Sequence, residues 1–263
     1  LFRKTLLSWL KTKLWVSSII NDTLNYNGEI IYSEHHESHA AGSFFTSPFK
    51  EAVIVTIDGV GEKACTTISI GKDNTISILK EQHYPHSIGL LYSAFTQYCG
   101  FKVNSGEYKL MGLAPYGKPI YKQLILDEIV SFDDTGLITL HLDCFSFEKG
   151  KTTINTKFCK VFGQPQRKIG AEMTNFYMDI ASSIQSVTED IVFQVLKYAK
   201  GLTGQENLCL SGGVALNCKA NGELLAKHIF KNVWVQPASG DAGCSIGAAY
   251  VGYNHYLKKF IQI

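Results

Sequence analysis

No C-x-x-C pair occurs among the seven cysteines, whose number is odd and whose spacing is irregular. A disulfide framework or a zinc ribbon needs a regular pattern, so neither organises this chain. Reduced, mostly buried thiols in a cytoplasmic setting are expected instead. No low-complexity tract and no short repeat is present. An excess of one charge is also missing, with 25 basic against 23 acidic residues and a net charge of +2. A chain that grips nucleic acid through its phosphates would carry a basic face, so a small-molecule partner is expected rather than a nucleic acid. No apolar run reaches the roughly 18 residues of a membrane span, and Leu14–Ile20, LWVSSII, falls well short. The opening LFRKTLLSWLKTKLW is basic and amphipathic. It reads as a helix packed on one side, with a membrane-surface helix as the alternative.

What is present is the material of a sizeable globular unit. The chain has 263 residues, 45% of them hydrophobic and 18% charged, enough to bury about 70–75% of its unfolded surface without staples. Residues 3–15 read as a helix and Glu29–Ser33 as a strand. HHESHAAGSFF reads as a helix ended by Ser47-Pro48. Three β runs follow at Ala52–Asp58, Ala64–Gly71 and Thr75–Gln82, a meander whose first turn is rich in glycine. Helices are expected at Gly89–Cys99, in GEYKLMGLAPYG and at about Phe176–Lys200, with a peripheral insertion at about 128–165. NLCL and NVWVQP read as strands, each followed by a glycine turn and a helix. The order suits an α/β domain with a mixed sheet, its glycine turns at the carboxyl ends of strands, where ligands of open α/β sheets sit.

Five stretches carry candidate chemistry. In Glu34-His35-His36-Glu37-Ser38-His39, His35 and His39 are four apart, share a helix face and offer two metal ligands. A polar surface turn explains them equally well, and the zinc-protease spacing H-E-x-x-H is not met. Asp58, Gly59 and Gly61 place a carboxylate and a flexible turn at a strand end; the glycines let backbone approach a phosphate and the aspartate can hold a cation or water near it, or the turn is simply a hairpin. Ser211-Gly212-Gly213 leads from a strand into a helix and offers amides to an anion, with Asn217 either reaching a nucleotide or capping the helix. Asp241 is an N-cap, or the carboxylate that completes a two-histidine, one-carboxylate set suited to iron(II). Glu107 and Lys109 contact a ribose or phosphate, or form an exposed ion pair. His83 and His86 stay open between ligand and structural roles.

EHHESHAAGSFFTSPF, TIDGVGE, YPHSIGLLYSAFTQYCGF, GEYKLMGLAPYG, SGGVALNCKANG and QPASGDAGCSIGAAY, running in order from about Glu34 to Tyr250, resemble the nodulation and antibiotic-biosynthesis O-carbamoyltransferases. The resemblance implies an actin/hexokinase-like (ribonuclease-H-like) ATPase fold. It implies His35, His39 and Asp241 as ligands of a divalent metal, iron(II). It implies Asp58, Gly59 and Gly61 at the phosphate, Gly212, Gly213 and Asn217 in the adenylate pocket, and Glu107 and Lys109 on its ribose side. The implied chemistry moves a carbamoyl group from carbamoyl-adenylate, made from ATP and carbamoyl phosphate, to the hydroxyl of a small-molecule acceptor.

Against the family pattern, residues 1–50 are expected to be the remnant of a first half-domain carrying the paired histidines, with residues 51–263 as the second half. A downstream domain that makes the carbamoyl-adenylate is expected to lie outside the chain. The strand at Glu29–Ser33 should then have an open edge, and the histidines should be weakly held. No general base stands out, and neither the acceptor nor the oligomeric state is legible. Two other readings fit parts of the pattern: a transferase that threonylcarbamoylates tRNA adenosine, and a nucleotide-binding module without catalysis.

Overall fold

The computed structural model describes residues 9–11, 13–147 and 152–258. In chain order the elements are α1 (Val16–Leu24), α2 (His35–Phe44), β1 (Glu51–Ile57), β2 (Ala64–Lys72), β3 (Thr75–His83), α3 (Ile88–Tyr98) and α4 (Glu107–Leu113). Then come α5 (Lys122–Glu128), β4 (Val130–Phe132), β5 (Ile138–Leu140), α6 (Thr156–Val161) and α7 (Asn175–Thr203). The chain continues through β6 (Asn207–Ser211), α8 (Cys218–Ala226), β7 (Asn232–Val235) and α9 (Cys244–Val251).

One mixed sheet of order β3-β2-β1-β6-β7 organises these elements. β1, β2 and β3 form the antiparallel meander, while β1 pairs with β6 and β6 with β7 in parallel. β1 is central and buried along nearly its whole length, which is why its sequence, EAVIVTI, is a continuous apolar run rather than an alternating one. Successive side chains point to opposite faces. Val53, Val55 and Ile57 enter the larger core with α3, α7 and the insertion, whereas Ala52 and Ile54 pack beneath Ala40 and Phe44 of α2. Each of these large side chains contributes on the order of 1.5–3 kcal/mol by burial. α7 reads as amphipathic over its length and ends at Gly204 in the left-handed conformation.

The insertion is a two-stranded β4-β5 ribbon with short helices around it, joined to the meander through Gln82 and His86. His86 Nδ1 accepts from the Leu140 N–H at 3.1 Å, and His83 pairs with Glu81 on the surface. Both histidines thus have structural partners.

Two expectations change. Glu29–Ser33 is not a strand: no sheet edge among the described residues meets it, Ile31 and Tyr32 are exposed, and the Tyr32 hydroxyl lies 2.6 Å from that of Ser17 instead. β propensity is expressed only where a pleated neighbour exists, so no open strand edge arises there. The opening helix is also differently bounded. Residues 3–8 and 12 of the helix expected at 3–15 lie outside the described residues, and α1 carries helix on to Leu24. No helix among the described residues is long and apolar enough to cross a membrane. The seven cysteines are all free, four of them buried.

Candidate metal centre and adjoining cavity

β1, β6 and β7 run parallel, so their carboxyl ends open on one edge of the sheet. Their following loops deliver Asp58, Gly212-Gly213 and, through the turn at 237–240, Asp241. Helix α2 crosses the same edge. His35 and His39, one turn apart, aim their rings toward these loops, with centroids 4.7 Å apart.

The result is a compact cluster. His35 Nε2 lies 2.8 Å from Asp58 Oδ2 and 3.6 Å from Asp241 Oδ1. His39 Nε2 lies 3.7 Å from each of the same two oxygens. One ligand atom from each of the four residues falls within 4.8 Å of every other. His39 is 3% exposed and its Nε2 is buried with no hydrogen-bond partner. A buried, unpaired imidazole nitrogen is costly unless something binds it, and two imidazoles with two carboxylates are a donor set suited to a divalent transition ion. The residues therefore fit a metal. The Asp241 side chain is 78% exposed, so the cluster opens to solvent on that side.

Electrostatics follow the geometry. Burial opposes ionisation of Asp58, but hydrogen bonding from His35, the neighbouring His39 and the Gly213 amide outweigh it and hold its carboxyl well below the usual range. The bond to Asp58 raises the pKa of His35 despite burial. Burial pushes His36 down to about 4, and this third histidine lies 3.2 Å from Thr67 Oγ1 rather than in the cluster.

Close backbone contact fixes the parts. A Cβ on Gly247 would lie 1.7 Å from the Ser38 carbonyl oxygen, so α9 meets α2 only through a residue without a side chain. Gly212 has φ +91°, and a Cβ there would strike the Ile57 carbonyl. Ser87 caps α3 through the Leu90 N–H, and its hydroxyl reaches the carbonyls of Asp58 and Gly59 at 3.1 and 2.6 Å, which anchors the hairpin turn. These contacts fix the turns and helices that carry the cluster.

A cavity of about 630 Å³ adjoins the cluster, and Asp58 and Asp241 form part of its wall. Gly59, Glu107, Gly213 and Asn217 also line it, whereas Gly61, Lys109 and Gly212 do not. Gly61 packs against His35 and His36 and closes the hairpin through Ala64. Lys109 lies over the Tyr108 ring. The Gly213 amide donates to Asp58 Oδ1 at 2.9 Å. Asn217 caps α8 through the Ala220 N–H and exchanges amide hydrogen bonds with Gln185 of α7, which also accepts from the Tyr92 hydroxyl. Glu107 accepts from Ser93, Asn104 and Gly106, which occupies three of its roughly four lone-pair sites. Sequence reasoning placed Asp58 at the phosphate, with a cation or water, rather than with the histidines; it missed the Ser87 anchor and Thr188, a buried cavity-wall residue whose hydroxyl has no partner.

Comparison with known proteins gives these residues a family. A model described as "Carbamoyltransferase N-terminus" matches residues 3–250. An uncharacterised protein of Synechocystis sp. is 48% identical over 260 residues, which are 96% of this chain and 42% of that protein. The nodulation protein NolNO of Sinorhizobium fredii is 36% identical over 225 residues, 86% of this chain and 31% of its own length. NolO of Bradyrhizobium diazoefficiens is 36% identical over 215 residues, covering 82% and 37%. The chain thus spans less than half the length of these relatives. A crystal structure of HypF from T. kodakarensis superposes with a TM-score of 0.52 over 94% of this chain and 39% of that one, at 16% identity, a likeness of fold. With the match spanning residues 3–250, which include the cluster and the cavity wall alike, the chain belongs to the carbamoyltransferase N-terminal family.

Proposed function

We propose that this chain forms the transfer site of an O-carbamoyltransferase of the actin/hexokinase-like fold. The site receives carbamoyl-adenylate in the cavity and passes its carbamoyl group to the hydroxyl of a small-molecule acceptor. The observation that carries the reading is the abutment of a four-donor cluster and a nucleotide-sized cavity, which share Asp58 and Asp241 as a common wall. Cavities of this size and mixed lining hold small molecules and cofactors. The similarity to NolNO and NolO favours a hydroxyl acceptor. The mixed sheet, with two parallel strands added to an antiparallel meander, supports the fold assignment.

In this reading His35, His39, Asp58 and Asp241 hold a divalent ion, iron(II) by the resemblance. Such an ion supplies Lewis-acid polarisation at the carbamoyl carbonyl or the attacking oxygen. The chain's own residues position the reactants. The Gly59 turn, anchored by Ser87, and the Gly213 turn bring backbone close to the cavity, where a phosphate can be approached without side-chain obstruction. The Thr188 hydroxyl, buried at the cavity wall and without a partner, would bond a polar atom of the adenylate once a small side-chain shift exposes it. Glu107 has about one lone-pair site left for a ribose hydroxyl. Holding the carbamoyl carbon against the acceptor oxygen is an effect of proximity. ATP and carbamoyl phosphate enter through chemistry outside these residues, in a reducing, cytoplasmic setting that suits seven free thiols.

The test pairs metal content with nucleotide affinity. His39→Ala and Asp58→Asn should each lower affinity for iron(II) or manganese(II) on the order of 100-fold or more, above the range for merely supporting residues. Wild-type protein should bind AMP more tightly when metal-loaded. Equal metal content in wild type and both variants would remove the cluster from the function.

A further inference from the structure

Asp241 does not stand alone on its turn. The 3-10 turn Asp241–Gly243 runs directly into α9 at Cys244, and residues three apart on such a turn lie one above the other. Cys244 therefore faces the same histidines as Asp241. Its Sγ, His35 and His39 form a second donor group in which every pair of ligand atoms lies within 4.8 Å, distinct from the group that contains Asp58 and Asp241. The independent pointer to a ligand is His39, whose Nε2 is buried, unpaired and common to both groups. Cys244 is only partly buried, so an ion can reach it.

We infer that the centre holds two overlapping ligand sets that share His35 and His39. One is the oxygen-rich set with Asp58 and Asp241; the other is a His2Cys set through Cys244 for a soft divalent cation such as zinc or cadmium. The inference rests on the metal reading above and extends it to which ions compete there. Carboxylate and imidazole ligands suit iron(II) and manganese(II), whereas a thiolate favours zinc and cadmium. The Cys244 thiol gives up its proton to solvent as the metal–sulfur bond forms. Zinc bound through Cys244 occupies the two histidines that iron(II) needs, so the two ions exclude each other.

The experiment is zinc X-ray absorption on purified protein carrying one equivalent of zinc, together with manganese release followed by electron paramagnetic resonance. Wild type should show one sulfur neighbour at about 2.3 Å beside nitrogen or oxygen neighbours at about 2.0–2.2 Å. Cys244→Ser should lose the sulfur neighbour and retain zinc through nitrogen and oxygen alone. Zinc should displace manganese from wild type at concentrations at least tenfold lower than from Cys244→Ser. A wild-type zinc site with nitrogen and oxygen neighbours only, or a sulfur neighbour that persists in Cys244→Ser, overturns the inference while leaving the oxygen-rich set standing. Failure to bind either zinc or manganese overturns both readings.

Discussion

At the scale of single residues, the cavity wall contains a buried hydroxyl without a hydrogen-bond partner. Thr188 is buried and its hydroxyl unpaired, a state that costs about 1–3 kcal/mol unless a ligand satisfies it. Thr188→Val keeps the shape and removes the hydroxyl. It should leave the protein as stable as before or slightly more so, and weaken AMP binding roughly five- to tenfold, in line with the net value of one hydrogen bond. Calorimetric titration with AMP and thermal denaturation check the two halves. Reduced stability with unchanged affinity would assign Thr188 to the fold alone. Residues also show where sequence reading stopped. His35 and His39 were legible because a four-residue spacing makes a helix face visible in the sequence. Asp58 looked like a phosphate residue because the hairpin it begins is local. Its place in the cluster depends on β1 pairing in parallel with β6, with Thr56 opposite Ser211, a contact no local pattern encodes. The same geometry couples Gly213 to the cluster. A Cβ there would sit 2.8 Å from Asp58 Oδ1, so bulk at this position reaches the histidine–aspartate cluster as well as the cavity.

At the scale of elements, the junction of α2 and α9 decides how the two histidines meet Asp241. Gly247→Ala puts a methyl group into the Ser38 carbonyl. Overpacking of this kind typically costs about 1–3 kcal/mol, and here the helices must separate to relieve it. The variant should therefore melt at lower temperature and also bind divalent metal more weakly, although residue 247 contacts no ligand atom. Denaturant unfolding and metal titration on the same sample test this; lost stability with intact metal affinity would show that the strain is absorbed elsewhere. Most elements were legible because their period and length were unambiguous. The meander expected at Ala52–Asp58, Ala64–Gly71 and Thr75–Gln82 forms at Glu51–Ile57, Ala64–Lys72 and Thr75–His83. The long helix expected at about Phe176–Lys200 spans Asn175–Thr203. Glu29–Ser33 misled because Ile-Ile-Tyr carries strand propensity without saying whether a neighbouring strand exists. Cys244 went unnoticed as a ligand because its alignment with Asp241 needs a tight turn that the glycines of GDAG only permit.

At the scale of the whole molecule, the chain aligns with 42% or less of each of the three relatives compared. The 263 residues expressed on their own should bind metal and AMP, since cluster and cavity are both built within them. They should not convert carbamoyl phosphate, ATP and an alcohol into a carbamate, because the proposed reading has the activated carbamoyl donor made outside these residues. Supplying preformed carbamoyl-adenylate should bypass that step. Mass-spectrometric detection of carbamate from the three simple reactants and the isolated chain would show the division of labour to be drawn in the wrong place.

The uneven exposure of the cluster sets a timescale. His39 sits deep in the fold while Asp241 stands almost in open water, so three donors belong to the wall and the fourth to the doorway. On the proposed metal reading, an ion there would be caged on one side and touchable on the other. Its exchange would require Asp241 to swing aside, without helices or strands having to part. Such a centre would be replenished from the surrounding pool rather than sealed in at folding, and its occupancy would follow the metals on offer there.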